Sequence, residues 1–181
     1  MLHLKNITAG NPKTAEQFQL TKQYGITWLF SEDGKNWYEE QKNFASDTIK
    51  MVYTGDGRVV WVGKDVTGIE PRNASVIEVP DITANRRITA PGYWFYRNDE
   101  FVFDYKLKAE DERDALLKQV SIMTSDWEKD LLLGLISDED REKLKAYRIY
   151  AKSLQAMDFS PITDKTSYNA IEWPVSPEAS S

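Results

Sequence analysis

The sequence contains no cysteine. That excludes disulfides, thiolate zinc sites, iron–sulfur clusters and a cysteine nucleophile. It contains one histidine, His3, close to the start of the chain. A single imidazole removes most metal sites and most Ser-His machinery. Glycine (9) and proline (7) are too sparse for a fibrous or low-complexity protein. No apolar run approaches the ~18 residues that a membrane helix needs. The opening Met1-Leu2-His3-Leu4-Lys5-Asn6 has no apolar core of the signal-peptide kind. No membrane insertion is therefore expected, and a cytoplasmic location is. A basic stripe is also missing: Arg86-Arg87 is the only adjacent arginine pair. Nucleic acid is not an expected partner, because phosphate neutralisation needs clustered Lys or Arg.

What is present is enough for a folded core. Of 181 residues, 41% are hydrophobic and 29% charged, which does not describe a wholly disordered chain. The net charge of −6 is unevenly placed. Residues 1–108 hold 14 basic and 14 acidic side chains, whereas residues 109–181 hold 9 and 15. Sixteen of the 22 aromatic residues and eight of the nine glycines lie before Ala109. The chain changes character there.

The first part reads as short strands and turns. Ile26–Phe30 has strand composition, and Asp33-Gly34 before Trp37-Tyr38 is a hairpin signal. Ile49–Tyr53 and Val59–Val62 flank Thr54-Gly55-Asp56-Gly57, a second hairpin. Ser75–Val79 reads as a further strand stopped by Pro80, and Asp81–Pro91 as a linker. Tyr93–Tyr96 and Phe101–Tyr105 form a third, aromatic hairpin. From Ala109 the period becomes helical: Leu116, Val120, Met123, Trp127 and Leu131 share one face. Gly134 stops that helix, and Ser137 with Asp140 three residues on is a fresh N-cap signal. Leu144, Tyr147, Ala151 and Leu154 form the stripe of a second helix. The expected class is α+β, with antiparallel hairpins followed by an αα-hairpin and an extended tail. The expected divisions are a β-rich domain at 1–90, an aromatic hairpin at 91–107, a helical region at 108–158 and the tail at 159–181.

Catalytic signatures are weak. The runs Glu110-Asp111-Glu112 and Asp138-Glu139-Asp140 stand at helix starts, where the dipole alone favours acids. Gly55-Asp56-Gly57 is too short for a phosphate cradle and reads as a turn. Glu32–Asn36 lacks the spaced acids of a calcium loop. No enzyme, cofactor or metal is expected. The strand aromatics are the more informative population. In Tyr93-Trp94-Phe95-Tyr96 alternate side chains face opposite ways, so two large aromatics must meet something other than one core. Either both faces are covered within the fold, or one meets a partner or a sugar.

Four segments carry a resemblance: His3–Thr14, Ser31–Glu40, Asp47–Lys50 and Val79–Arg87. Towards the other end stand Ser137–Arg141, Leu144–Tyr150 and Ile171-Glu172-Trp173-Pro174. Together they resemble the tail fibre assembly proteins of tailed bacteriophages, the Mu-like members above all. The resemblance implies a non-enzymatic chaperone without a cofactor. Its implied partner is the trimeric receptor-binding fibre, bound near its C-terminal tip. It further implies residence on the finished fibre in Mu-like phages, beside host lipopolysaccharide. The candidate partner-binding residues are Trp28, Trp37, Tyr38 and Trp61, with Tyr93 and Phe95 as a second group. The competing reading is a carbohydrate-binding module that stacks such rings on sugars.

Overall fold

A computed structural model describes residues 1–180. It comprises one unit of Met1–Phe103 and a second of Asp104–Ser181. The first is organised around the hairpin expected at Gly55-Asp56-Gly57. In chain order its strands are β1 (His3–Gly10), β2 (Trp28–Phe30), β3 (Ile49–Thr54), β4 (Val59–Gly63) and β5 (Ala74–Val79). They form one antiparallel sheet in the order β2-β1-β5-β3-β4. A separate two-stranded sheet joins β6 (Trp94–Arg97) to β7 (Glu100–Phe103). Asn98 and Asp99 link them, both at positive φ, as a two-residue hairpin turn demands.

Gly57 ties the two sheets together. Its φ is 89°, and a Cβ there would lie 2.4 Å from the carbonyl oxygen of Tyr96. Only glycine tolerates both the conformation and the approach. The approach is used, since the Tyr96 amide donates to the Gly57 carbonyl at 2.7 Å.

The sheet has a core on each face, as strand alternation requires. Leu4, Ile7, Leu29, Trp37, Val52 and Val76 form one. Ile49, Met51, Val59, Val79, Ile88 and Trp94 form the other. Between β1 and β2 runs α1 (Ala15–Tyr24), capped by Thr14. Trp37-Tyr38, read from sequence as strand, opens the short helix α2 (Trp37–Glu40) instead. The reason is local: the Asn36 side chain caps it by accepting from the Tyr38 amide at 3.0 Å. The stretch read as a linker is also built in. It carries α3 (Thr83–Arg86) and the buried Ile88, while Arg86 and Lys64 clasp Asp81 at 2.7 and 2.6 Å.

In the second unit the Asp104 carboxylate caps α4 (Tyr105–Leu133), and Ser137 caps α5 (Asp138–Gln155). Val120 packs with Tyr147, Tyr150, Ala151 and Leu154, and Trp127 lies against them. Leu131, expected on the buried stripe, is instead exposed at the end of α4. The tail is not extended throughout: it forms α6 (Lys165–Asn169). There Tyr168 accepts from Lys108 at 2.5 Å and donates to Glu112 at 2.6 Å, both on α4. Trp173 packs on Phe159 with ring centres 5.7 Å apart.

Candidate functional site

The six candidate aromatics fall into two classes. Trp37 is wholly enclosed, and Trp28 and Phe95 are buried. The Trp28 indole donates to the Thr21 hydroxyl at 2.7 Å, which fixes α1 against β2. Phe95 lies under Arg97 and Arg58, whose guanidinium carbons sit 4.1 and 5.1 Å from its ring centre. Within the aromatic hairpin Trp94 is covered by one core and Phe95 by arginines, whereas Val102 beside Phe95 stays exposed. Trp28, Trp37 and Phe95 offer a partner no surface. Tyr38 is exposed, and Trp61 and Tyr93 are half-buried. The surface group thus reduces to Tyr38, Trp61 and Tyr93.

Trp61 has a further property. It stands on β4, the last strand of the five-stranded sheet. Beyond it, among the described residues, only a single bridge from Arg58 to Phe95 is made. Val59–Gly63 is thus an edge strand, with no ladder partner beyond it among the described residues.

A second feature was not anticipated from sequence. A groove of about 580 Å³ opens beside β1 and β7, bounded by His3, Asn85, Trp94, Tyr96, Asp99 and Phe101. Its rings interlock. The His3 Nε2 and the Tyr53 hydroxyl are 2.7 Å apart. The Tyr96 ring is 5.6 Å from His3, 4.8 Å from Tyr53 and 5.0 Å from Phe101. The Tyr96 hydroxyl donates to Asp99 at 3.1 Å. Burial, reinforced by that carboxylate, pushes the Tyr96 hydroxyl up to about 12. Burial, with Lys5 nearby, holds His3 below its ordinary value, so the ring is neutral near pH 7. Four chain segments supply this groove, which is why no local motif announced it.

In the wall of the groove Glu78 is buried and hydrogen-bonded. It accepts from the Leu2 amide at 2.9 Å, the Ala45 amide at 2.6 Å and the Thr48 hydroxyl at 2.7 Å. Burial alone would raise its carboxyl, but these bonds and Lys50 hold it below the ordinary value. Lys50, its cross-strand neighbour, donates to the carbonyls of Ala45 and Thr48. This network is a brace for β3 and β5. Among the described residues no three His, Asp or Glu side chains converge as a metal site would require.

Comparison with known proteins gives a consistent answer. Residues 39–178 match the family described as Caudovirales tail fibre assembly protein, lambda gpK. The tail fiber assembly protein U' of Escherichia phage Mu is 50% identical over 171 residues, covering 90% of this chain and 97% of that protein. Its namesake in Escherichia phage P1 is 48% identical with the same coverage. The tail fiber assembly protein U of phage Mu is 39% identical over 184 residues, covering 98% of this chain and all of that protein.

Proposed function

The chain belongs to the Caudovirales tail fibre assembly protein family, and from that premise we propose that it is a non-enzymatic chaperone of a receptor-binding tail fibre. It acts in the host cytoplasm during virion assembly. It binds the C-terminal tip of the fibre chain, promotes its folding and trimerisation, and remains at the fibre tip beside host lipopolysaccharide. The observation that carries this reading is the end-to-end match to relatives that bear fibre assembly in their names.

The physical requirement is clear. Chains that pair into a trimer expose sheet edges and apolar surface before they meet, and such surfaces mispair. A partner that covers them suppresses that reaction and needs no nucleotide. The first unit is suited to the task through the edge strand β4, the exposed ring of Tyr38 and the half-buried rings of Trp61 and Tyr93. Strand addition would supply affinity through the backbone, and the rings would supply packing.

The test is capture by the tagged full-length chain co-expressed with the fibre's C-terminal region or with a fibre lacking its tip. Retention of the first and loss of the second is expected. Equal retention of both would overturn the tip assignment, and retention of neither the chaperone reading itself.

A second reading is favoured by the groove, where Trp94, Tyr96 and Phe101 stand beside polar Asn85 and Asp99. Rings with adjacent hydrogen-bonding groups suit a sugar. Calorimetry with lipopolysaccharide core oligosaccharide should show binding that Phe101→Ala abolishes. No heat from the unaltered protein would dismiss this reading.

A further inference from the structure

The turn between α4 and α5 displays leucines to solvent. Leu131, Leu132, Leu133 and Leu135 are 45, 86, 71 and 72% exposed. A contiguous apolar run of this length on a surface marks a contact with something.

The display is held on a fixed frame. Gly134 adopts a left-handed conformation with φ 71°. The Leu135 amide donates to the Asp130 carbonyl at 2.8 Å, and the Gly134 amide to the Leu131 carbonyl at 3.2 Å. In that helix ending, the residue after glycine commonly packs on an apolar side chain five positions back. Here that position is Asp130, so Leu135 is left outward. On the other side Ile136 is buried, and the Ser137 hydroxyl accepts from the Asp140 amide at 3.1 Å.

The rim is predominantly acidic. Between residues 126 and 140 there are six acidic side chains and one basic, Lys129. Lys129 is already held by Asp126 at 2.9 Å; the next cations along the chain are Arg141 and Lys143, the latter held by Glu139 at 2.6 Å.

We propose that this leucine tip docks a protein segment whose apolar side chains are flanked by lysine or arginine. Assigning the segment to the fibre chain rests on the chaperone reading above. Charge selects this occupant over the alternatives. A second copy docked two-fold would set two acidic rims face to face. A lipid surface prefers apolar faces bordered by cations, the reverse of this border.

The test uses the full-length protein and two labelled synthetic amphipathic helices of equal length, one of Leu and Lys and one of Leu and Glu, in fluorescence anisotropy. The Leu/Lys peptide is expected to bind at least tenfold more tightly than the Leu/Glu peptide. The double variant Leu132→Ser, Leu133→Ser should lose at least tenfold for the former. The pair Asp130→Lys, Asp138→Lys should weaken the Leu/Lys peptide and strengthen the Leu/Glu peptide. All these positions are exposed, so both variants should stay folded, with at most a small loss of thermal midpoint from Asp138→Lys at the start of α5. Unchanged Leu/Lys affinity in both variants would overturn the proposal. So would a dimer in sedimentation, or vesicle binding, that the leucine variant abolishes. Fibre capture separates the two readings. If the unaltered chain captures fibre and the leucine variant captures as much, the fibre assignment of the tip falls and the chaperone reading stands. If the unaltered chain captures none, the chaperone reading falls while the peptides still decide the tip.

Discussion

His3 is held in β1 with its ring against Tyr53 and Tyr96, and burial keeps it neutral. Its folded value lies below the unfolded one, so protons bind preferentially to the unfolded chain as pH falls. The stability it contributes is present above about pH 6.5 and is lost below it. The facing charges are Lys5, which lowers its value further, and Asp99 and Glu32, which oppose that shift. Glu78 acts in the same direction in a lower window, beneath the ordinary glutamate value, because its hydrogen bonds favour the carboxylate. Thermal midpoints should therefore fall between pH 7.5 and 5.5, and His3→Gln should flatten that part of the profile while leaving the drop below pH 4.5. A parallel profile in the variant would show that the ring's environment is not as described.

At the level of elements, legibility followed local chemistry. The β3–β4 hairpin was readable because Asp56-Gly57 is a turn in its own right, and the α5 stripe because its apolar residues keep a helical period. β1 was hidden for a physical reason. Its two buried residues, Leu4 and Ile7, are three apart, with a register shift between them and Asn6 at φ 47°. A bulge breaks the alternation on which strand reading depends. α1 was hidden because its one buried residue is Gln17. Of the candidate aromatics, Trp37 and Phe95 were conspicuous in sequence, but only the packing of distant segments showed that they are enclosed. The α4–α5 pairing can be tested through Trp127, which lies on the helical core with its ring centre 6.0 Å from that of Tyr147. Trp127→Ala should cost about 3 kcal/mol, the low end for a tryptophan deletion because the ring is half-exposed. A denaturant midpoint unchanged from the parent would contradict that placement.

At the scale of the whole molecule, fold class was legible and function was not legible from physics alone. Composition excluded thiol chemistry and charge disfavoured nucleic acid, but neither points to a fibre. That step came from motifs at both ends of the chain and from kinship over most of its length. What the structure adds is two surfaces on which the proposals rest: the edge strand β4 with Tyr38, Trp61 and Tyr93 in the first unit, and a leucine tip with a mainly acidic rim in the second. The most direct test is the assembly state of the fibre's C-terminal region, expressed with and without this chain and measured by sedimentation velocity. The account predicts a predominant trimer when the chain is present and aggregated or unassembled fibre when it is absent. An equal trimer fraction in its absence would contradict the account.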